Sequence, residues 1–158
     1  MYSIELTDLY SDQLQQRVLG MIEEICEEFH FEDHFGTLSF SMHEILDEII
    51  RNCSTEQSYT DLSFYISYKE VAVLIHHSES LLPLRERLND SQAREESAIF
   101  AINQLVDGIE FSNQDQDLSL LFHVKSKSKG VGGETQSSLR NLLVKEEIEE
   151  DMRKKRGV

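Results

Sequence analysis

Two histidines four residues apart are the first side chains in this sequence that could do chemistry. His30 and His34 enclose Glu32 and Asp33. On a helix this spacing would place both imidazoles on one face, as a zinc site needs. Two histidines supply only part of a ligand set, however, and residues 30–36 are predicted to be a loop. We therefore expect an exposed polar connection here, with a metal site as the alternative.

A second pair of histidines, His76 and His77, ends a hydrophobic run. Adjacent residues of a strand point to opposite faces, so we expect one imidazole to be packed and the other to be solvated. A ligand pair or a pH-sensitive pair is the alternative interpretation. Together with His30 and His34, these residues make a metal-binding module the third functional hypothesis.

The two cysteines, Cys26 and Cys53, lie on predicted helices, close to the inward face of the first and at the end of the second. We interpret them as small core residues rather than nucleophiles. Two cysteines are too few for a disulfide scaffold and fit a reducing compartment. The N-terminal residues lack the basic and apolar regions of a signal peptide, and no apolar run approaches the roughly 20 residues of a membrane span. We therefore expect a cytoplasmic protein that does not contact membranes.

The hydrophobic periodicity predicts the elements that would position these residues. The predicted strands are 2–6, 62–67, 70–76, 109–112 and 118–124, and the predicted helices are 8–29, 37–53 and 91–106. Asp8 or Ser11 is the expected N-cap of the first helix, and residues 78–89 are expected to be a polar connection. This order predicts an α/β (α+β) fold, a two-layer sandwich with helices on one face of a mixed, mainly antiparallel sheet.

The charge is unevenly distributed along the 158 residues, whose formal net charge is −15. Residues 1–124 hold 6 basic and 24 acidic residues, a net charge of −18. Such a domain repels phosphate backbones, so we expect no nucleic-acid partner. Residues 125–136 are rich in Gly, Ser and Lys and are predicted to be a flexible linker. Residues 137–158 regain helical spacing through Leu139, Leu142, Leu143 and Ile148 and are predicted to be an amphipathic helix.

The second predicted helix, SFSMHEILDEIIRNC, carries a glutamate and asparagine pattern. With the element order, it resembles the GHKL (histidine kinase-like) ATPase domain, most closely the small anti-sigma-factor serine kinases, over residues 2–124. The resemblance implies a general base on this helix and, four residues later, an asparagine that holds magnesium. One register places the base at Glu44 and Glu48 in the asparagine position. A register shifted by one turn pairs Glu48 with Asn52.

Two further segments align with the phosphate- and adenine-binding boxes of that family. The family's Asp-x-Gly-x-Gly box aligns with His76, Ser78 and Ser80, and its Gly-x-Gly box aligns with Glu96 and Ala98. The family's aspartate and glycines are thus replaced. A helix N-terminus binds phosphate through free N–H groups, and Glu96 would place negative charge at that point.

The resemblance therefore implies a degenerate member of the family, with no bound cofactor. The first hypothesis is a regulatory or scaffolding pseudo-ATPase that acts through protein–protein contacts in bacterial signalling. Its expected partner has a basic surface. Glu23, Glu24, Glu27 and Glu28 of the first helix are interpreted as a solvated helix face or, alternatively, as the surface that meets this partner. The alternative is an active serine/threonine kinase that binds ATP and Mg²⁺, with Glu44 as the base.

Overall fold

The computed structural model describes residues 1–90 and 98–127. In chain order the elements are β1 (Tyr2–Leu9), α1 (Ser11–Phe29), a 3-10 turn (Glu32–His34), α2 (Phe35–Asn52), β2 (Thr60–Ile66), β3 (Glu70–His77), α3 (Leu82–Asn89), α4 (Ala98–Leu105), β4 (Gly108–Ser112) and β5 (Asp117–His123). The predicted Gly/Ser/Lys-rich linker beyond residue 127 and the predicted C-terminal helix lie outside the described residues, as do residues 91–97.

The five strands form one sheet in the order β1-β2-β3-β5-β4, and all four pairings are antiparallel. β3 lies at the centre of the sheet, with Val73 opposite Phe64 of β2 on one side and Leu120 of β5 on the other. The fold class predicted from the sequence is confirmed, and the sheet is antiparallel throughout these pairings.

Alternation along the central strands separates two faces of the sheet. On the face that joins the core, the buried residues are Leu62, Phe64, Ile66, Val71, Val73, Ile75, Leu118, Leu120 and Phe122. On the opposite face, Tyr65, Leu74 and Leu121 are only half buried. The helices contribute the second layer of the core because their apolar residues recur every three or four positions, as in Leu14 and Val18 of α1.

Three local predictions were wrong: the loop at residues 30–36, the N-cap of α1 and the polar connection at residues 78–89. Residues 30–36 were expected to be a loop, but they contain the 3-10 turn and the start of α2 at Phe35. The residue before α1 is Tyr10, which makes no side-chain capping bond, while Ser11 is already helical. Asp8 belongs to β1, where its backbone N–H donates to the Asp61 carboxylate over 2.7 Å.

The third correction concerns residues 78–89, which were expected to be a polar connection and instead contain α3. Leu81, Leu84 and Leu88 are buried at helical spacing, and they dock this short helix on the core. Pro83 lies in the first turn, where a missing N–H costs no helical hydrogen bond. The structure thus adds a packed helix next to the C-terminal end of α2.

Candidate functional site

A buried carboxylate near the C-terminal end of α2 is the centre of the candidate site. Glu48 is 3% exposed, although a buried charge is costly unless it is paired. Asn52, one turn later on α2, donates from Nδ2 to Glu48 Oε2 over 2.6 Å. Two guanidinium groups reach the other oxygen, Oε1: Arg51 Nη2 at 3.3 Å and Arg87 Nη2 at 3.4 Å. Both carboxylate oxygens of Glu48 therefore have partners within the chain.

Arg87 reaches this carboxylate because α3 packs beside α2. Leu84 and Leu88 hold α3 to the core, and this places Arg87 on the side that faces Glu48. Arg51 is also bound to Asp47, at 2.8 Å. Arg51 and Arg87 are two of the six basic residues among residues 1–124, and both converge on one acid. Neither arginine was predicted as a site residue. Basic residues are scarce among residues 1–124, and this scarcity could have drawn attention to both arginines.

An open cleft of about 480 Å³ lies between the end of α2 and α3. It is lined by Asn52, Pro83, Glu86, Arg87 and Asp90. The polar groups of Asn52 and Arg87 are already bonded to Glu48, whereas Glu86 and Asp90 add two carboxylates. A cleft with this lining disfavours a triphosphate, because its guanidinium is engaged and its remaining charges are negative.

The predicted base, Glu44, lies one turn before Glu48 on α2 and is half buried. The structure therefore places Glu44, Glu48 and Asn52 along one helix, as both registers require. A hydrogen bond joins Glu48 to Asn52. The two residues that the two registers assign to magnesium therefore bond to each other.

His76 is not brought to the α2 residues. It lies on the half-buried face of the sheet, where its Nδ1 is 2.5 Å from Asp117 Oδ1. The expected alternation is confirmed, because the adjacent His77 is buried. The helices pack on the face that contains His77. The residue aligned with the adenine-binding aspartate thus points away from Glu48 and Asn52, and sequence reasoning did not reveal which histidine faces inward.

His77 joins the end of β3 to the end of α2. Its Nε2 lies 2.9 Å from the carbonyl oxygen of Cys53 and its Nδ1 lies 2.8 Å from Thr60 Oγ1. Because a carbonyl can only accept, Nε2 carries the proton and Nδ1 accepts from the threonine hydroxyl. Burial lowers the pKa of His77 below its ordinary value, and the Cys53 carbonyl partly opposes this shift. The neutral imidazole is therefore a structural connector between the two layers.

Ser78 and Ser80, two of the predicted nucleotide-box positions, form local hydrogen bonds. Ser78 Oγ accepts from the N–H of Tyr59 over 3.0 Å, and its carbonyl accepts from Gln116 Nε2 over 3.1 Å. Ser80 Oγ accepts from the N–H of Leu82 over 3.1 Å, at the start of α3. Ala98 is the first described residue of α4, and Glu96 lies outside the described residues. These serine side chains fasten the segment that leads into α3.

The histidines of the predicted metal site and the two cysteines have structural roles. His34 Nε2 accepts from the backbone N–H of Lys125 over 3.0 Å, whereas His30 Nδ1 lies 3.5 Å from Glu32. Within residues 1–90 and 98–127, no group of three or more His, Cys, Asp or Glu is arranged to hold a metal ion. Cys26 and Cys53 are both buried; burial raises the pKa of Cys26 to about 11 and also raises that of Cys53. These thiols pack in the core, as expected.

One side of α1 presents four carboxylates to solvent. The exposed residues are Glu23, Glu24, Glu27 and Glu28. The neighbouring apolar residues of this helix are buried: Ile22, Ile25, Cys26 and Phe29. We call these four glutamates the acidic face. Their charges can be changed without opening the core, because their side chains contribute nothing to it.

No protein-family model matches the chain, and no curated protein sequence matches it. Within the residues that the structure describes, no helix combines the length and the apolar character needed to cross a bilayer.

Proposed function

We propose that this chain is a regulatory or scaffolding domain of GHKL type that has lost its nucleotide site and acts through protein–protein contacts. The observation that carries the proposal is the bonding of Glu48. In the family that the sequence resembles, a glutamate on this helix is the general base and an asparagine four residues later helps to hold magnesium. Here Glu48 is satisfied by Asn52 and by Arg87 of α3, so binding a metal–nucleotide complex would first have to break this buried network.

Charge adds independent support for the loss of nucleotide binding. The cleft beside Asn52 contains the carboxylates of Glu86 and Asp90, and residues 1–124 carry a net charge of −18. The same charge suits a basic protein partner, which the exposed acidic face would attract over a long range. Two buried cysteines, both unbridged, fit a reducing compartment, and we place the protein in the cytoplasm.

A thermal-shift measurement on the full chain with millimolar ATP and MgCl₂ tests the loss of nucleotide binding. Ligand at about 100 times Kd would stabilise the native state by about 2.7 kcal/mol, which is several degrees in Tm for a domain of this size. We expect the Tm with ATP and MgCl₂ to equal the Tm with MgCl₂ alone.

Asn52→Ala and Asp47→Ala are the matched variants for the opposite result. Both residues lie on the last two turns of α2, but Asp47 bonds Arg51 rather than Glu48. A rise in Tm that depends on magnesium and ATP, and that Asn52→Ala abolishes while Asp47→Ala keeps it, would contradict the proposal. It would instead support an ATP-dependent kinase with Glu44 as base.

A further inference from the structure

An apolar groove runs between α1 and α2 on the outer surface of the helical layer. Its floor consists of Val18, Ile22, Met42 and Leu46, and its two walls are Leu19 of α1 and Phe40 of α2. We call these six residues the helix groove. The groove encloses about 330 Å³, and Leu19 and Phe40 are 43% and 39% exposed. Two large apolar side chains flanking an apolar floor are typical of a surface that binds the apolar face of a helix.

The chain itself leads from the sheet to the end of this groove. After β5, the Val124 N–H donates to the Lys69 carbonyl and the Lys125 N–H donates to His34. Ser126 Oγ then donates to the carbonyl of Phe29 over 2.8 Å. These bonds carry the chain across the end of the sandwich, from the sheet layer to the turn between α1 and α2.

Lys127, the last described residue, is held at that turn. Its N–H donates to the His30 carbonyl over 2.9 Å, and its Nζ lies 3.0 Å from Asp33 Oδ1. Ser39, at the near end of the groove, is four residues into α2, or about 6 Å along the helix axis. The nine residues 128–136 can span about 30 Å when extended. Residues 137–158 therefore begin within reach of the whole groove.

The sequence of residues 137–158 matches the groove in apolarity. Leu139, Leu142 and Leu143 have the spacing of helix-in-groove anchors. Residues 146–151 contain five acidic residues and residues 153–156 are all basic, so the docking rests on the leucines and not on charge.

We infer that residues 137–158 dock in the helix groove of their own chain, with the leucines between Leu19 and Phe40. Docking itself does not depend on the proposed function, whereas its consequence, competition with a protein partner for the helix groove, rests on it.

Disulfide trapping in the full chain tests the docking. Leu19→Cys and Leu142→Cys are introduced together, and mild oxidation is followed on non-reducing gels, with mass spectrometry to identify the bridged peptides. The native thiols Cys26 and Cys53 are buried, so they are kept in every variant and should not take part in the bridge. The matched control combines Leu82→Cys with Leu142→Cys. Leu82 is also 43% exposed, but it begins α3 beyond the His77 end of β3, away from Lys127.

We expect an intrachain bridge between positions 19 and 142 that forms about tenfold or more faster than the control bridge, because docking adds to the effective concentration of a free tether. The rate should not depend on protein concentration. Adding Phe40→Glu should slow the first bridge, whereas adding Tyr68→Glu, at an exposed turn residue outside the groove, should not. Circular dichroism melting of each variant checks that the fold is kept.

Equal rates for the two cysteine pairs would overturn the inference. A bridge that forms between chains, with a rate that rises with concentration, would also overturn it and assign the groove to a second copy. These assays contain neither nucleotide nor partner, so their failure is distinct from a failure of the proposed function.

Discussion

Asn52 donates its side-chain N–H to the buried carboxylate of Glu48 over 2.6 Å, from one turn further along α2. Arg87 reaches the same carboxylate from α3, 39 residues along the chain. A group that is almost fully buried depends on such bonds, because it has lost its hydration. The end of α2 is therefore held together by a buried polar network that joins α2 to α3.

Glu48→Ala should lower the free energy of unfolding by about 1–3 kcal/mol, since it removes a buried acceptor and leaves Asn52 and Arg87 without it. Asp47→Ala is the matched control on the same helix. Its ion pair with Arg51 is partly exposed and should contribute at most about 1 kcal/mol. Urea denaturation of both variants measures the difference. Equal losses would mean that the Glu48 network does not stabilise the fold.

His77 should make the protein less stable in mild acid. Burial lowers the pKa of its imidazole in the folded state below the ordinary 6.5, so the unfolded chain binds a proton at a pH where the folded chain does not. The contribution of His77 is then full above about pH 6.5 and is lost as the pH falls towards the folded pKa, with a slope of up to about 1.4 kcal/mol per pH unit.

Urea denaturation between pH 7.5 and 5 should therefore show a smaller loss of stability in His77→Gln than in the wild type. His43→Gln serves as the control, since His43 is exposed on α2. A wild-type pH dependence that His77→Gln leaves unchanged would rule out His77 as its source.

A chain that ends at Lys127 should be more stable than one that ends at Val124. Residues 125–127 were assigned to the linker by their composition, yet Ser126 is buried and donates to the carbonyl of Phe29. Truncation at Val124 removes this bond, the bond from Lys127 to His30 and the bond from Lys125 to His34. Three lost hydrogen bonds predict a difference of about 1.5–4.5 kcal/mol in the free energy of unfolding.

Urea denaturation of the two truncated chains and of the full chain measures this difference. We expect both to unfold cooperatively, because residues 1–124 already contain the sheet and the helices of the core. Equal stability of the two would show that the contacts of residues 125–127 contribute nothing in solution.

Charge reversal of the acidic face should slow association with a native basic partner. The wild-type association rate should also fall as salt rises from about 0.05 to 0.5 M, since screening shortens the range of attraction. The variant reverses all four glutamates to lysine, and its melting curve should stay close to that of the wild type because these side chains are exposed.

Surface plasmon resonance with a partner recovered from native lysate measures both rates. Leu139→Ala, Leu142→Ala and Leu143→Ala, made together, form the comparison for an apolar contact, which depends weakly on salt. An on-rate that ignores both salt and charge reversal would contradict the role of the acidic face.

Local sequence patterns were sufficient to predict the helices and strands that bury one face, because burial of one face sets the spacing of their apolar residues. Leu14, Val18 and Ile22 predict α1, because a helix packed on one side must repeat its apolar residues every three or four positions. The alternation in β2 and β3 likewise predicts the hairpin, and it predicts opposite environments for His76 and His77. In each case, neighbours within a few residues of one another carry the whole signal.

The remaining features depend on contacts between distant segments. α3 is eight residues long, and such a short helix is stable only where tertiary packing supports it; Leu84 and Leu88 provide that packing only once α2 is in place. The contacts of His77 with the Cys53 carbonyl and the Thr60 hydroxyl exist because the end of β3 meets the end of α2 and pairs with β2. The bond from Arg87 to Glu48 exists because two helices meet, and no spacing along the chain encodes such a meeting. The sequence therefore determined the elements and their faces, and the tertiary structure decided which polar groups lie together.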